Sequence, residues 1–355
     1  MSHVGGDPVR LPSLSGLRVP AAFVVFAHHL VAFVPSPDWA ARLTTSAMTS
    51  LSFFFVLSGF VLAWSARPGD TAAAFLRRRA ARILPLYWIA FVIGGALALV
   101  LGINTVVQLL PSVVLAQAWF PDAGVHFAGN SVGWSLSVEA VFYVGFPFIL
   151  VALRRLGRVG LWVVLVVAVG LAAALPVWFA PQSYDGLAYW FAYIFPITRV
   201  PEFIAGVVLA LLLRSGVRAL IPLWVPLVVA ASCMFVANWL PITLHTVGAT
   251  IVPFVVLIAA AAEGDRSGRP TVFAHPVLVR AGDCSFAFYL VHLLAIRVAW
   301  AVNERTVDLD WWAVGVVSLV VTLVSAWFAH RWIEVPLERR WRSPRRRYRA
   351  LSTPA

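Results

Sequence analysis

Ten apolar stretches, each close to the length that crosses a bilayer, leave this chain little choice of fold. They run approximately over 17–34, 46–65, 83–103, 134–153, 159–179, 197–213, 219–238, 246–262, 283–302 and 311–332, and a spanning helix needs about 20 mainly apolar residues. Of 355 residues, 61% are hydrophobic and 12% charged, whereas soluble domains carry about 25% charged residues. The expected fold is all-α: a polytopic membrane protein with about ten transmembrane helices.

A net charge of +12 would suggest a nucleic-acid partner in a soluble protein. Here the arginines fall in short clusters between apolar runs: 67–82 (RPGDTAAAFLRRRAAR), 154–158, 214–218, 264–269 and 339–349. With the amino terminus in the cytoplasm, every cluster lands on the cytoplasmic side, as the positive-inside rule requires. The count of spans is then even and both termini are cytoplasmic. Outer loops such as VPSPDWAARLTT and NERTVDLD carry little positive charge. The excess is topological, and no nucleic acid is expected as a partner. All 27 basic residues are arginine, a coding bias with no chemical meaning. Cys233 and Cys284 stand alone, which supports neither a disulfide framework nor a zinc site, so no metal is expected.

The segment before the first span has no cleavage pattern and is expected to be retained. The chain therefore divides into a cytoplasmic N-terminal segment (1–16), a membrane domain (17–333) and a basic cytoplasmic tail (334–355), and it is expected to lie in the cell (inner or plasma) membrane with the lipid bilayer as its surroundings. Two regions resist simple counting. Residues 104–133 are short and broken by proline, and residues 187–198 (LAYWFAYIFPIT) look like an interfacial or re-entrant helix; either could line a site. Trp39, Trp119, Trp134, Trp311 and Trp312, near span ends, read as interfacial anchors. The absence of internal repeats speaks against a secondary transporter.

Ionisable side chains at bilayer depth cost on the order of 2 to 3 kcal/mol or more, so they face a protein interior or a wet cavity. His28 and His29 sit near the outer end of the first span. Arg18 lies near its cytoplasmic end, about 16 Å from His29 along a helix. A neutral imidazole in such a place is poised as a general base, and since adjacent helical residues point about 100° apart, only one of the two histidines can face a given cavity. His29 is the candidate base. Arg79 and Arg82 share one helical face, as a phosphate clamp would need, although arginines are expected at that boundary in any case. Glu139, about a turn inside an apolar helix, could orient a histidine, hold a polar substrate, or pair with an arginine such as Arg199. Gly129, Ser131 and Gly133 spell GxSxG with His126 nearby, but that motif works only on a strand-to-helix elbow, and no sheet is expected. Glu202, His292 and Glu334 read as interhelical hydrogen-bond partners, with Ser285 on the same helix face as His292.

The strings LPSLSGLRVPAAFVVFAHHL, FFFVLSGFVLAWS, FLRRRAARILPLYW, WSLSVEAVFYVGFPFIL, FYLVHLL and WIEVPLE, in this order, resemble the integral-membrane acyltransferase family 3, O-acyltransferases that modify sugars. The resemblance covers nearly the whole chain. It implies transfer of an acyl group, usually acetyl from acetyl-CoA, to a hydroxyl of a carbohydrate or sugar-bearing acceptor. By that likeness, 17–333 is a membrane acyltransferase domain. Arg18 and His29 correspond to the family's arginine and histidine, Arg79 and Arg82 to its Arg-x-x-Arg pair that would hold the phosphates of acyl-CoA, and Glu139 to the acid of its WSLSxE string. Ser15 and Val19 depart from the common LDGLRG pattern, so any role of an aspartate or glycine there is missing or replaced. Relatives of this type acylate envelope polysaccharides, peptidoglycan sugars, lipid-linked glycans and sugar-bearing antibiotics such as macrolides, and the sequence does not choose among them or fix the oligomeric state. The competing readings are a proton-coupled transporter or flippase of a polar metabolite, and a membrane subunit whose polar residues only join helices.

Overall fold

The computed structural model describes residues 9–341 other than Pro68 and Pro270; the greater part of the basic tail, 342–355, lies outside the described residues. Among the described residues there is no strand. Hydrocarbon offers no partner for a backbone N–H or C=O, so each apolar run satisfies its own by winding into a helix. Ten long helices result: α1 (Pro12–Phe33), α2 (Ser50–Ser65), α3 (Ala72–Val100), α4 (Trp134–Arg154), α5 (Arg158–Phe179), α6 (Pro196–Arg214), α7 (Trp224–Ala237), α8 (Ile251–Arg266), α9 (Ser285–Thr306) and α10 (Trp311–Ala329). Each corresponds to one expected span. Helices α1 and α3 begin earlier than hydropathy alone indicates, because polar residues continue the helix beyond the apolar run; the Thr71 side chain caps α3 by accepting from the Ala74 N–H.

With the short turns that precede or extend them, eight of these helices are long and apolar enough to cross a membrane. The exceptions are α7, with 14 residues, and α8, with 16, and at 1.5 Å per residue α7 covers only about 21 Å. Pro222 and Pro241 flank α7 and Pro253 sits at the start of α8, which keeps part of each crossing irregular. The chain nonetheless changes face here. Arg158 donates to the Ser215 carbonyl (2.6 Å), Asn238 accepts from the Ser46 N–H (2.8 Å) at the far end of α2, and Arg266 donates to the Leu213 carbonyl (2.6 Å) back at the first face.

That first face gathers the arginine clusters. Arg214 donates to the carbonyls of Ala63, Trp64 and Ala66 at the end of α2, Ser13 at the start of α1 donates to Asp265 (2.6 Å), and the helical turn Val335–Trp341 packs against α3. The first and last described residues therefore lie on one side of the bundle, the side that holds the cations.

Two close crossings hold the bundle. In the α2–α6 pair, a Cβ on Gly59 would stand 2.1 Å from the Phe203 carbonyl oxygen, and one on Gly206 would stand 1.9 Å from that of Val56. At the start of α1, a Cβ on Gly16 would meet the Phe273 carbonyl at 2.0 Å, and one on Gly282 would meet that of Ser15 at 1.8 Å. Lipid tails are as apolar as leucine, so helices in a membrane associate by such backbone approach and not by hydrophobic burial. These contacts give the glycines of the LSGLR and FVLSGF strings a packing role.

Three expectations change. Residues 187–198 do not form a separate helix: a short helix (Gly186–Tyr189) and a wide turn (190–194) lead directly into α6, burying Tyr189, Trp190, Tyr193 and Ile194. The turn lets Tyr193 donate to the Met48 carbonyl (2.6 Å) and Trp190 to that of Ala118 (3.0 Å). Trp134 is a core residue, 6% exposed, with its ring 5.2 Å from that of Tyr193, whereas Trp39, Trp119 and Trp312 are exposed as anchors should be. Glu334 bonds His330 (2.6 Å) one turn back in its own segment, so it is not an interhelical partner in this way.

Gly206→Ala is expected to force α2 and α6 apart and destabilise the protein by about 1–3 kcal/mol, read as a lower thermal midpoint in detergent, while Gly170→Ala, where nothing lies near the added methyl, leaves the midpoint unchanged.

Candidate active site

Arg18, Arg79, Arg82 and Glu139, far apart in sequence, line one cavity of about 130 Å³. Its apolar wall comes from α2 (Leu51, Phe54, Phe55, Leu57, Val61, Leu62), and Ser58, Ser135, Tyr143, Ser285 and Tyr289 add hydroxyl groups. Helical spacing accounts for the constellation: Arg79 and Arg82 are one turn apart on α3, while Ser135, Glu139 and Tyr143 repeat every four residues along α4 and so share a face. The Tyr143 hydroxyl donates to Glu139 (3.1 Å). Arg18 interacts with Arg82 and, in the opposite sense, with Asp283 and Glu139.

Three guanidinium groups thus line the cavity against one carboxylate. The Arg79 side chain lies over the Phe75 ring (5.5 Å), and its Nε is buried with no hydrogen-bond partner among the described residues. Like charges held together with an orphaned donor form a place that an anion would complete.

His29 does not line that cavity. Its Nδ1 stands 2.9 Å from Nε2 of His292 on α9, and Nδ1 of His292 stands 2.7 Å from the Tyr289 carbonyl oxygen. His28 turns away and approaches the Thr44 carbonyl with Nδ1 (3.0 Å), as the offset between adjacent helical residues requires. The two halves of the site meet at Tyr289. Its hydroxyl bonds Ser135 (2.8 Å) at the edge of the arginine cavity, and its carbonyl holds the histidine pair.

Glu139 is therefore not the partner of His29, as its place in the sequence allowed; it sits with Tyr143 on the arginine side, and the imidazole is met by His292. Arg199 does not pair with Glu139 either. It is 1% exposed, bonds Glu202 (3.2 Å) and Ser52 (3.3 Å) and lies over the rings of Tyr193 (4.7 Å) and Phe55 (5.2 Å). Ser131 of the GxSxG string leads into α4 with no strand before it, and it accepts from Arg297 (2.9 Å), while His126 approaches the Phe120 carbonyl instead.

Sequence reading passed over Arg297. It lies on α9 beyond His292, stacks on Phe33 (4.6 Å), and Phe33 in turn lies beside His29. The available signal was an arginine inside an apolar span, five residues after a histidine. A second cavity of about 410 Å³ lies between α1, α9 and α10, lined by Phe23, Phe288 and Trp327 with Arg280 and Arg331 among its polar residues. It is larger, yet none of Arg18, His29, Arg79, Arg82 and Glu139 lines it.

Glu202→Leu is expected to leave the Arg199 charge buried and unpaired and to destabilise the protein by about 3–5 kcal/mol. The double variant Arg199→Met with Glu202→Leu recovers most of that loss in detergent unfolding, since a well-packed apolar pair replaces a buried ion pair at little cost.

Residues 11–331 match a known protein family described as an acyltransferase domain. The chain is 36% identical to the acyltransferase MdmB of Streptomyces mycarofaciens, over 93% of this chain and 92% of that protein. It is 29% identical to the exopolysaccharide production protein ExoZ of Rhizobium meliloti, over 72% and 78% of the two chains. It is 24% identical to a putative O-acetyltransferase of Staphylococcus aureus (strain MRSA252), over 94% of this chain and 59% of that one. No solved structure matches.

Proposed function

This chain belongs to the acyltransferase domain family, and on that premise we propose that it moves an acyl group, acetyl first among them, from acyl-CoA to a hydroxyl of a carbohydrate or sugar-bearing small molecule at the cell membrane. The observation that carries the donor half is the cavity in which Arg18, Arg79 and Arg82 face one carboxylate and Arg79 Nε stands buried without a partner among the described residues. Arg79 and Arg82 hold the CoA phosphates at the cationic face. The pantetheine arm then runs inward past Ser135 and Tyr289, toward the level of His29. The cationic face is read as cytoplasmic, which supplies acyl-CoA directly and places both termini there.

His29 takes the proton of the acceptor hydroxyl as its oxygen attacks the thioester carbonyl. The tetrahedral intermediate collapses by breaking the C–S bond, and the proton on His29 goes to the leaving CoA sulfur. Proton removal by a positioned base contributes roughly 10² to 10⁴ in rate. Arg297, which lies over the Phe33 ring and acts electrostatically on His29, supplies a positive charge for the developing oxyanion. Glu139, held by Tyr143, balances the arginines and positions the donor. Polysaccharide chemistry in one relative's name and O-acetyl transfer in another's support a sugar-type acceptor and an acetyl donor.

The test uses the purified protein in lipid nanodiscs with radiolabelled acetyl-CoA and a panel of polysaccharide and glycosylated macrolide acceptors. His29→Ala is expected to abolish acyl transfer while acetyl-CoA binding persists; turnover near that of the wild type removes His29 as the base. Arg79→Ala is expected to raise the acetyl-CoA KM by about tenfold or more, the loss of one charge-assisted contact, with a smaller change in kcat. An unaltered donor dependence removes the phosphate clamp.

A further inference from the structure

We infer that His292 is a positioning residue that fixes the tautomer of His29, so that Nε2 of His29 is the atom that accepts the proton; this rests on the reading of His29 as the base. The argument counts protons. The Tyr289 carbonyl oxygen can only accept, so the His292 Nδ1 that stands 2.7 Å from it carries a hydrogen. In a neutral ring that is the only ring N–H, and Nε2 of His292 is left with a lone pair. The 2.9 Å contact between this atom and Nδ1 of His29 then requires the hydrogen to sit on His29 Nδ1. A neutral His29 so arranged has its free lone pair on Nε2. The neutral pair holds two protons on four nitrogens: the Tyr289 carbonyl places the one on His292, and the His292 lone pair, beside the Val25 carbonyl that also bonds the His29 ring, places the one on His29.

The surroundings keep this chain of bonds in place. His292 is 1% exposed, stacked on Phe288 with rings 6.0 Å apart and 9° from parallel, and flanked by Phe26. Its carbonyl partner belongs to its own helix, one turn back, so His292 cannot rotate without losing that bond. When Nε2 of His29 takes the acceptor proton, the imidazolium keeps its Nδ1–H on the His292 lone pair. The other charged or titratable groups around His29 are His28 on α1, with its ring 5.5 Å away, and Arg297 on α9. Neither has a hydrogen bond to the His29 ring among the described residues. In serine hydrolases a carboxylate performs the orienting task; here a neutral imidazole tied to a carbonyl does it.

The experiment compares His292→Gln with His292→Phe in the nanodisc assay. The glutamine carbonyl can occupy the place of Nε2 and accept from His29 Nδ1, whereas phenylalanine fills the space with no acceptor. His292→Phe is expected to lower kcat on the order of 10²-fold with the acetyl-CoA KM unchanged, and to displace the pH profile of kcat. His292→Gln retains most of kcat and the profile. Equal losses in the two variants, with donor binding intact in both, overturn the inference, as does a wild-type kcat in His292→Phe. If the phenylalanine variant does not fold, His292→Asn replaces it: its shorter side chain keeps a donor for the Tyr289 carbonyl and does not reach His29. The parent reading fails separately: should His29→Ala turn over normally, the base is misassigned whatever His292 does, whereas an inactive His29→Ala beside a fully active His292→Phe removes only the positioning role.

Discussion

A guanidinium inside a bilayer has to find an anion, an aromatic face or water, because the hydrocarbon offers none of these. This chain solves the problem in three ways, and the architecture follows from them. Arg199 is sealed in the core with Glu202, Ser52 and two ring faces, a closed arrangement with structural consequences. Arg297 stacks on Phe33 and donates to Ser131, half-buried beside the histidine pair. Arg18, Arg79 and Arg82 line one cavity with one carboxylate, Glu139, while Asp283 and Glu338 act on Arg18 and Arg79 from beside it. That set, with Arg79 Nε buried and without a hydrogen-bond partner among the described residues, is the one on which the proposed donor site rests.

Keeping that cavity open inside a packed bundle depends on rigid walls. Helix α2 supplies much of the lining, and the Gly59 and Gly206 contacts fix it against α6 at backbone distance. The start of α1, which carries Arg18, is pinned by the approach of Gly16 and Gly282 to neighbouring backbone and by Ser13 to Asp265. Glycine strings that look like family signatures thus act as spacers, and the cavity-lining side chains of α1 and α2 stand on elements held at backbone distance from their neighbours. Helices α7 and α8, with prolines at their ends, contribute no residue to the lining of the arginine cavity, although α8 packs against α1 and α2.

The site has two ends joined by one residue. Tyr289 contributes its hydroxyl to the lining of the arginine cavity and its carbonyl to the histidine pair, so one turn of α9 touches both.

By itself the sequence determined the all-α membrane fold, the ten helical segments, eight of them long and apolar enough to cross a membrane, the common side of the arginine clusters that fall among the described residues, and the shared face of Arg79 and Arg82. Each of these follows from local rules: the length of an apolar run, the 3.6-residue turn, and the charge bias of loops. The separation of His28 from His29 was legible for the same reason. Tertiary structure alone decided that His29 meets His292, 263 positions away, that Glu139 faces arginines instead of that histidine, that Arg199 closes on Glu202, and that Trp134 is core. Spans that are apolar all round carry little record of which neighbour each face will meet, because lipid and protein are equally good company for a leucine; the partners are chosen by glycine contacts and polar pairings that form only once the helices have assembled.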